Sequence, residues 1–137
     1  MNKQEAMTLL KKQGYKITKR REAILIFFAK EDKYHSAKNL YEYMEAKYPG
    51  ISYDTVYRNL HLYHDLGILE STELQAEKHF RMNCSDQHHH HFICSTCGKT
   101  KKVKVCPMDE VENMLSSYKI LGHKFEIYGL CPICQTA

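Results

Sequence analysis

Apolar positions in the first half of the chain recur at helical spacing and are broken at short intervals by turn residues. Ala6, Leu9 and Leu10 fall on one helical face, which predicts a short amphipathic helix ending near Gly14. Thr18 precedes a second helix that turns Ala23, Ile24, Phe27 and Phe28 inward, and its hydroxyl can accept an otherwise unpaired first-turn amide. Ser36 caps a third helix, with Leu40, Tyr43 and Met44 on its inner face and Pro49-Gly50 as its stop. Ser52 opens a fourth, along which Val56, Leu60 and Tyr63 form the buried line, and Gly67 closes it. Ile68 to Leu74 and Lys78 to Met82 then read as the two strands of a hairpin.

The fourth helix has a narrow apolar stripe. Its other face carries Tyr53, Thr55, Tyr57, Arg58 and Asn59, whose hydroxyls, guanidinium and amide suit base edges and phosphates. A helix presenting such an N-terminal half to a major groove docks as a recognition helix, and the hairpin after it reads as a wing. Lys11, Lys12, Lys16, Lys19, Arg20 and Arg21 gather upstream, a cluster that is ordinarily a solvated face but that also contacts phosphates when a groove-reading helix follows. Helices and a hairpin alone fit a protein-interaction module as well as a winged helix-turn-helix.

Beyond Cys84 the pattern changes. His91 to Ser95, Lys99 to Val105 and His123 to Leu130 read as strands. Pro107 suits the first residue of a helix, with Asp109 and Glu110 in its first turn and an apolar stripe of Met108, Val111, Met114 or Leu115, and Tyr118. One helix on a small sheet is too little core to stand alone, so a structural metal and a partner subunit are both expected. The 137 residues allow one medium domain or two small ones. The longest apolar run, Ala23 to Ala29, is far short of a membrane span, and the polar stretch Met1 to Lys12 does not read as a signal peptide, so a cytoplasmic protein is expected. There, paired cysteines are metal ligands more often than disulfides. The net charge of +4 permits nucleic-acid binding without establishing it.

The richest chemistry is a string of metal ligands. Cys94 and Cys97 form one Cys-x-x-Cys knuckle, and Cys131 and Cys134 form a second. Two such turns separated by strands supply the four thiolates of a tetrahedral structural zinc, whereas a redox pair would not come in two copies at the ends of one small domain. The run His88-His89-His90-His91 offers more ligands than that ion needs. An extended run puts His88 and His90 on one face and His89 and His91 on the other, enough to seed two further sites. Cys84 is a natural third ligand for one, with Glu70 or His79 for its fourth place, while Glu110 and His123 can complete a site with His88 and His90. His35, His61 and His64 read as ordinary helix-surface histidines, and Cys106 as a partly buried thiol near a helix start, its participation in metal binding left open.

These residues together resemble the ferric uptake regulator family, and within it the zinc uptake regulators (Zur) of low-GC Gram-positive bacteria. The resemblance runs from Gln4 to Cys134. It is carried by Gly14 to Arg21, Tyr53 to Leu60, Leu66 to Glu70, His88 to Cys97, Cys106 to Asp109 and His123 to Gly129. It implies an α+β homodimer. Residues 1–83 would be a winged helix-turn-helix DNA-binding domain, and residues 84–137 a small α/β metal-binding dimerisation domain with the four-cysteine zinc site, with a hinge near 82–88. By motif, structural zinc falls on Cys94, Cys97, Cys131 and Cys134, a sensing site on Glu70, Cys84, His89 and His91, and a tuning site on His88, His90, Glu110 and His123. DNA contacts are expected from Lys16, Tyr57 and Arg58, with Ser52, Tyr53 and Thr55 nearby.

The function implied is a zinc-responsive repressor. Zinc, one structural and one or two regulatory ions per chain, would act as corepressor and fix the dimer on a palindromic operator of zinc-uptake genes. A soft thiolate at Cys84 favours zinc over the iron, manganese or peroxide chemistry of similar regulators, which remains the alternative. No membrane or small-molecule substrate is expected. An enzyme is disfavoured because four-thiolate zinc sites are closed and the deaminase pairing of His-x-Glu with Pro-Cys-x-x-Cys is missing. A zinc storage protein would have no use for a recognition helix.

Overall fold

The first four helices each begin where a side chain replaces a missing backbone partner. In the computed structural model, which describes residues 1–83 and 90–136, Asn2 accepts the Glu5 amide ahead of α1 (Lys3–Lys12) and Thr18 accepts the Arg21 amide ahead of α2 (Lys19–Ala29). Ser36 and Asn39 cap each other reciprocally ahead of α3 (Ala37–Lys47), and Ser52 accepts the Thr55 amide ahead of α4 (Tyr53–Asp65). Helix α4 ends at Gly67, whose φ of +77° lets its amide reach His64 O and lets Ile68 N reach Tyr63 O, satisfying carbonyls that the helix leaves open.

That turn feeds β2 (Leu69–Leu74), which pairs antiparallel with β3 (Glu77–Met82). Gln75 and Ala76 join the two strands with φ of 53° and 60°, the left-handed pair that matches strand twist in a two-residue hairpin. The other edge of β3 pairs with the two-residue β1 (His35–Ser36), so the sheet order is β1-β3-β2. Leu10, Ile24, Leu25, Phe28, Leu40, Met44, Leu60, Tyr63, Ile68 and Phe80 form the buried centre of the core between the helices and this hairpin. Tyr63 donates its hydroxyl to Arg21 O at 2.9 Å, and burial pushes its phenol well above the ordinary range. Leu60 is fully buried. Leu60→Ala is therefore expected to destabilise the protein by ~2–5 kcal/mol, read by chemical denaturation, while leaving its metal content unchanged.

The chain divides into two compact units, Met1–Asp86 and Gln87–Ala137. In the second, β4 (His90–Cys94) is central, antiparallel to β5 (Thr100–Val103) and parallel to β6 (Glu126–Gly129). Helix α5 (Met108–Met114) lies between β5 and β6 in sequence, and a single 3-10 turn (Cys134–Thr136) follows. Among the described residues of this unit only His90, Ile93, Cys94 and Gly98 are buried.

Several elements are shorter than the apolar pattern predicts. The β-branched and aromatic stretches Lys99–Val105 and His123–Leu130 keep strand geometry only where β4 offers a partner, from His90 opposite Val103 to Cys94 opposite Gly129. Pro107 precedes α5 instead of starting it, and the helix stops at Met114, so Tyr118 falls outside it. His35 sits in a strand, not on a helix surface, with its ring 4.5 Å from that of Phe27. Burial first, and then Lys33, lower its pKa. Leu25 takes a buried place in α2 while Phe27 is half-buried.

Candidate metal centres and nucleic-acid interface

The parallel pairing of β4 and β6 explains the first centre. Parallel neighbours end on the same side, and each of these strands runs into a Cys-x-x-Cys knuckle. The ligand atoms of Cys94, Cys97, Cys131 and Cys134 consequently lie within 4.8 Å of one another. Cys97 Sγ and Cys131 Sγ are 3.8 Å apart. Four thiolates at tetrahedral zinc stand about 3.8 Å apart, given Zn–S bonds of ~2.3 Å, so the group fits that ion. Gly98, with φ of +78°, closes the first knuckle by donating to Cys94 O at 2.9 Å. Backbone amides also turn inward, Cys131 N toward Cys94 Sγ and Cys134 N toward Cys131 Sγ, each at 3.4 Å.

Those amides shape the thiol chemistry. Burial raises the Cys94 pKa, but the amides of Cys97, Cys131 and Thr96 outweigh it and bring the thiol down to about 6. The Cys134 amide lowers Cys131 in the same way, whereas Cys134, hydrogen-bonded to the Cys131 sulfur, is pushed up to about 12. Without a cation the cluster cannot ionise fully; a dication makes four thiolates compatible.

A second group forms in the same unit. His90, from β4, and His123, from the segment before β6, face each other with Nε2 atoms 3.3 Å apart. Cys106, from the loop between β5 and α5, places its Sγ 3.3 Å from His90 Nε2 and 3.7 Å from His123 Nε2. The His90 ring also meets the Phe125 ring edge-on at 5.3 Å. Of the residues expected at a tuning site, then, His90 and His123 come together. Glu110, exposed in the first turn of α5, is not part of that group, and His88 lies outside the described residues. Cys106 joins the two histidines with no spacing signal in the sequence to announce it.

Of the residues expected at a sensing site, Cys84 and His89 also lie outside the described residues. Glu70 in β2 stands opposite Arg81 in β3, its carboxylate 3.4 Å from Arg81 Nε, and Asp32 takes Arg81 Nη2 at 2.8 Å. His91 is half-buried in β4. His79, the other candidate for the fourth place, has Nδ1 2.8 Å from Glu77 O. The exit of the hairpin is tied down at Asn83, which donates from its backbone to Ile68 O and from its side chain to Gly67 O, and accepts from the N-terminal amine at 2.7 Å.

The expected nucleic-acid face is continuous. Tyr53, Tyr57 and Arg58 are exposed on α4, its cap Ser52 is exposed, Thr55 is half-exposed, and Lys16 is exposed ahead of α2. Tyr53 and Tyr57 stack at 5.8 Å. Arg21 joins the two parts, donating from Nε to Asn59 Oδ1 and from Nη1 to Lys16 O. Together with Thr55, Arg58, Asn59 and Leu62 it lines a shallow groove. Sequence reasoning placed Arg21 only in a basic cluster; its bridging role depends on a contact 38 residues away.

Comparison with known proteins agrees with this architecture. The model of the ferric uptake regulator family matches residues 12–128. A ferric uptake regulation protein of Staphylococcus epidermidis is 51% identical over 135 residues, spanning 98% of this chain and 97% of that protein. Among solved structures, the Helicobacter pylori ferric uptake regulator, described as having three functional metal binding sites, shares the fold with a TM-score of 0.74 at 20% identity, over 98% of this chain and 95% of that one. A zinc uptake regulator complexed with zinc and DNA does so with a TM-score of 0.69 at 20% identity, over 98% and 93%. The chain belongs to the ferric uptake regulator family. It is a metal-responsive transcriptional regulator of the dimeric, DNA-binding kind, and not an enzyme. No helix among the described residues is long and apolar enough to cross a membrane.

Proposed function

We propose that this protein is a cytoplasmic, zinc-responsive repressor. Zinc at Glu70, Cys84, His89 and His91 ties the wing and the hinge near 82–88 to the metal-binding domain of residues 84–137. Each winged-helix domain, residues 1–83, is thereby held for a palindromic operator of zinc-uptake genes. Lys16, Ser52, Tyr53, Thr55, Tyr57 and Arg58 carry the DNA contacts. Cys94, Cys97, Cys131 and Cys134 hold a structural zinc, and a further group including His90 and His123 sets the response. Metal binding can drive DNA binding only because zinc prefers the closed state, and the two affinities are coupled reciprocally.

The observation that carries the choice of zinc is where the sulfur sits. The chain has six cysteines, and four make the tetrathiol cluster. Cys84 stands just before the histidine run, and Cys106 faces His90 and His123. Ferrous iron and manganese sites favour imidazole and carboxylate, whereas thiolate tilts selection to zinc. A second reading, iron sensing, is favoured by the name of the S. epidermidis relative.

Duplexes selected in vitro in parallel by the zinc-loaded and the ferrous-loaded dimer separate the two. Under buffered metal, zinc is expected to tighten operator binding at least ~10-fold, consistent with coupling energies of a few kcal/mol, and ferrous ion or manganese is not. Cys84→Ser is expected to remove the zinc response while the structural ion stays bound. Operator binding driven by ferrous ion but not zinc would establish the iron reading in its place.

A further inference from the structure

We propose that Cys106 is a metal ligand, and that with His90 and His123 it forms a two-imidazole, one-thiolate centre for a soft divalent cation. This deepens the zinc-sensing reading by changing the composition of its second regulatory site, in which Cys106 takes the place expected of Glu110.

The triangle of ligand atoms has the right shape for a tetrahedral ion. With Zn–N bonds of ~2.0–2.1 Å and Zn–S of ~2.3 Å, tetrahedral angles put two nitrogens roughly 3.3–3.4 Å apart and nitrogen and sulfur roughly 3.5–3.6 Å apart. The observed separations are 3.3 Å between the imidazoles and 3.3 and 3.7 Å from the sulfur. One ion can therefore touch all three atoms without a change of backbone. Both histidines present Nε2, which leaves each Nδ1 to carry the proton of a neutral imidazole, the form that binds metal.

Three separate segments contribute, 16, 17 and 33 residues apart in the chain, so the meeting is a product of the fold and not of local sequence. Burial is graded across it: His90 is buried, Cys106 half-buried and His123 exposed. The inner ligand is held by packing against Phe125, and the outer one is open to solvent. Among the described residues three ligands converge here, one of them exposed, which makes the site more open than the tetrathiol cluster. On binding, the Cys106 thiol releases its proton to solvent and the sulfur donates a lone pair to the cation. A thiolate in place of a carboxylate also shifts this site away from iron and manganese.

The test uses the full-length dimer with its tetrathiol site filled with zinc, in a Cys84→Ser background so that Cys106 is the remaining thiol. Cobalt(II) is the probe, because thiolate ligation gives a charge-transfer band that imidazole and carboxylate do not. One cobalt per chain with that band is expected, while zinc stays at one per chain. Adding Cys106→Ser is expected to abolish the band and weaken cobalt binding at this site at least ~100-fold, since losing even an outer-shell partner costs ~10–100-fold. Cys106→His is expected to restore tight binding without the band, and Glu110→Gln to leave band and affinity intact. A band that survives Cys106→Ser, or that disappears with Glu110→Gln, overturns the assignment. The readout is independent of DNA: a Cys106 signature in a protein whose operator binding ignores zinc would sink zinc repression and keep the site. A zinc-driven operator response without the signature would do the reverse.

Discussion

Removing the zinc expected at Cys94, Cys97, Cys131 and Cys134, by chelation or by Cys97→Ser, should unfold residues 87–137 and leave the first unit intact. The two units are built on different terms. The first has a continuous core running from Ala6 to Met82. The second buries, among its described residues, only His90, Ile93, Cys94 and Gly98, while Met114, Tyr118, Leu121 and Ile133 are more than half exposed. A seven-residue helix and strands of four or five residues cannot repay their own ordering entropy. A structural zinc supplies an apparent ~10–16 kcal/mol near neutral pH, ample to decide whether such a unit folds. Hydrogen exchange should show β4, β5 and β6 losing protection on zinc removal while α2 and α4 keep theirs. Retained protection in β4 would show that the metal is not what holds this unit. Acid should act in the same direction. Zinc needs all four thiols deprotonated, and Cys134, pushed up to about 12, binds its proton more firmly than an ordinary thiol, so zinc affinity falls as pH falls.

How legible each feature was depended on how local its cause is. Thr18, Ser36 and Ser52 act on amides three residues ahead, so the helix starts stood in the sequence. The Cys-x-x-Cys knuckles are local too, and only their convergence needed the parallel β4–β6 pairing. Cys106 was opaque for the opposite reason. Its partners lie 16 and 17 residues away on either side, and no spacing rule joins a single cysteine to histidines across a sheet. Glu110 was expected as a ligand on carboxylate chemistry and by resemblance, and its place in a first helical turn is also explained by the positive end of the helix. His35 misled because Ser36, the next residue, is a helix cap, and the cap's extended backbone is what lets His35 pair with Phe80.

The paired substitution Leu121→Asp with Ile127→Asp should convert the dimer to monomers and weaken operator binding by ~10²-fold or more, the avidity that linked sites confer. Dimerisation is a family property, and the second unit shows why this chain needs it. Strand β6 lies at the edge of the sheet β5-β4-β6, with Ile127 40% exposed and Leu130 50% exposed, and Leu121 upstream is 87% exposed. An uncovered edge beside such apolar side chains is a surface for association. Charges placed there would be desolvated in a dimer at a cost of several kcal/mol each, yet would sit in water in the monomer. Leu121 is nearly free of its own unit, so its replacement spares the fold; one zinc per chain retained in the variant checks this. The loss of DNA affinity follows from geometry and not from damage to α4. A palindrome rewards two linked reading heads with an avidity of ~10²–10⁴, and a monomer forfeits it. Sedimentation supplies the first measurement and operator titration the second. A variant that remains dimeric at micromolar concentration would move the interface elsewhere. Monomers with unchanged operator affinity would mean that one winged helix suffices, and that metal-controlled spacing of two is not how this regulator works.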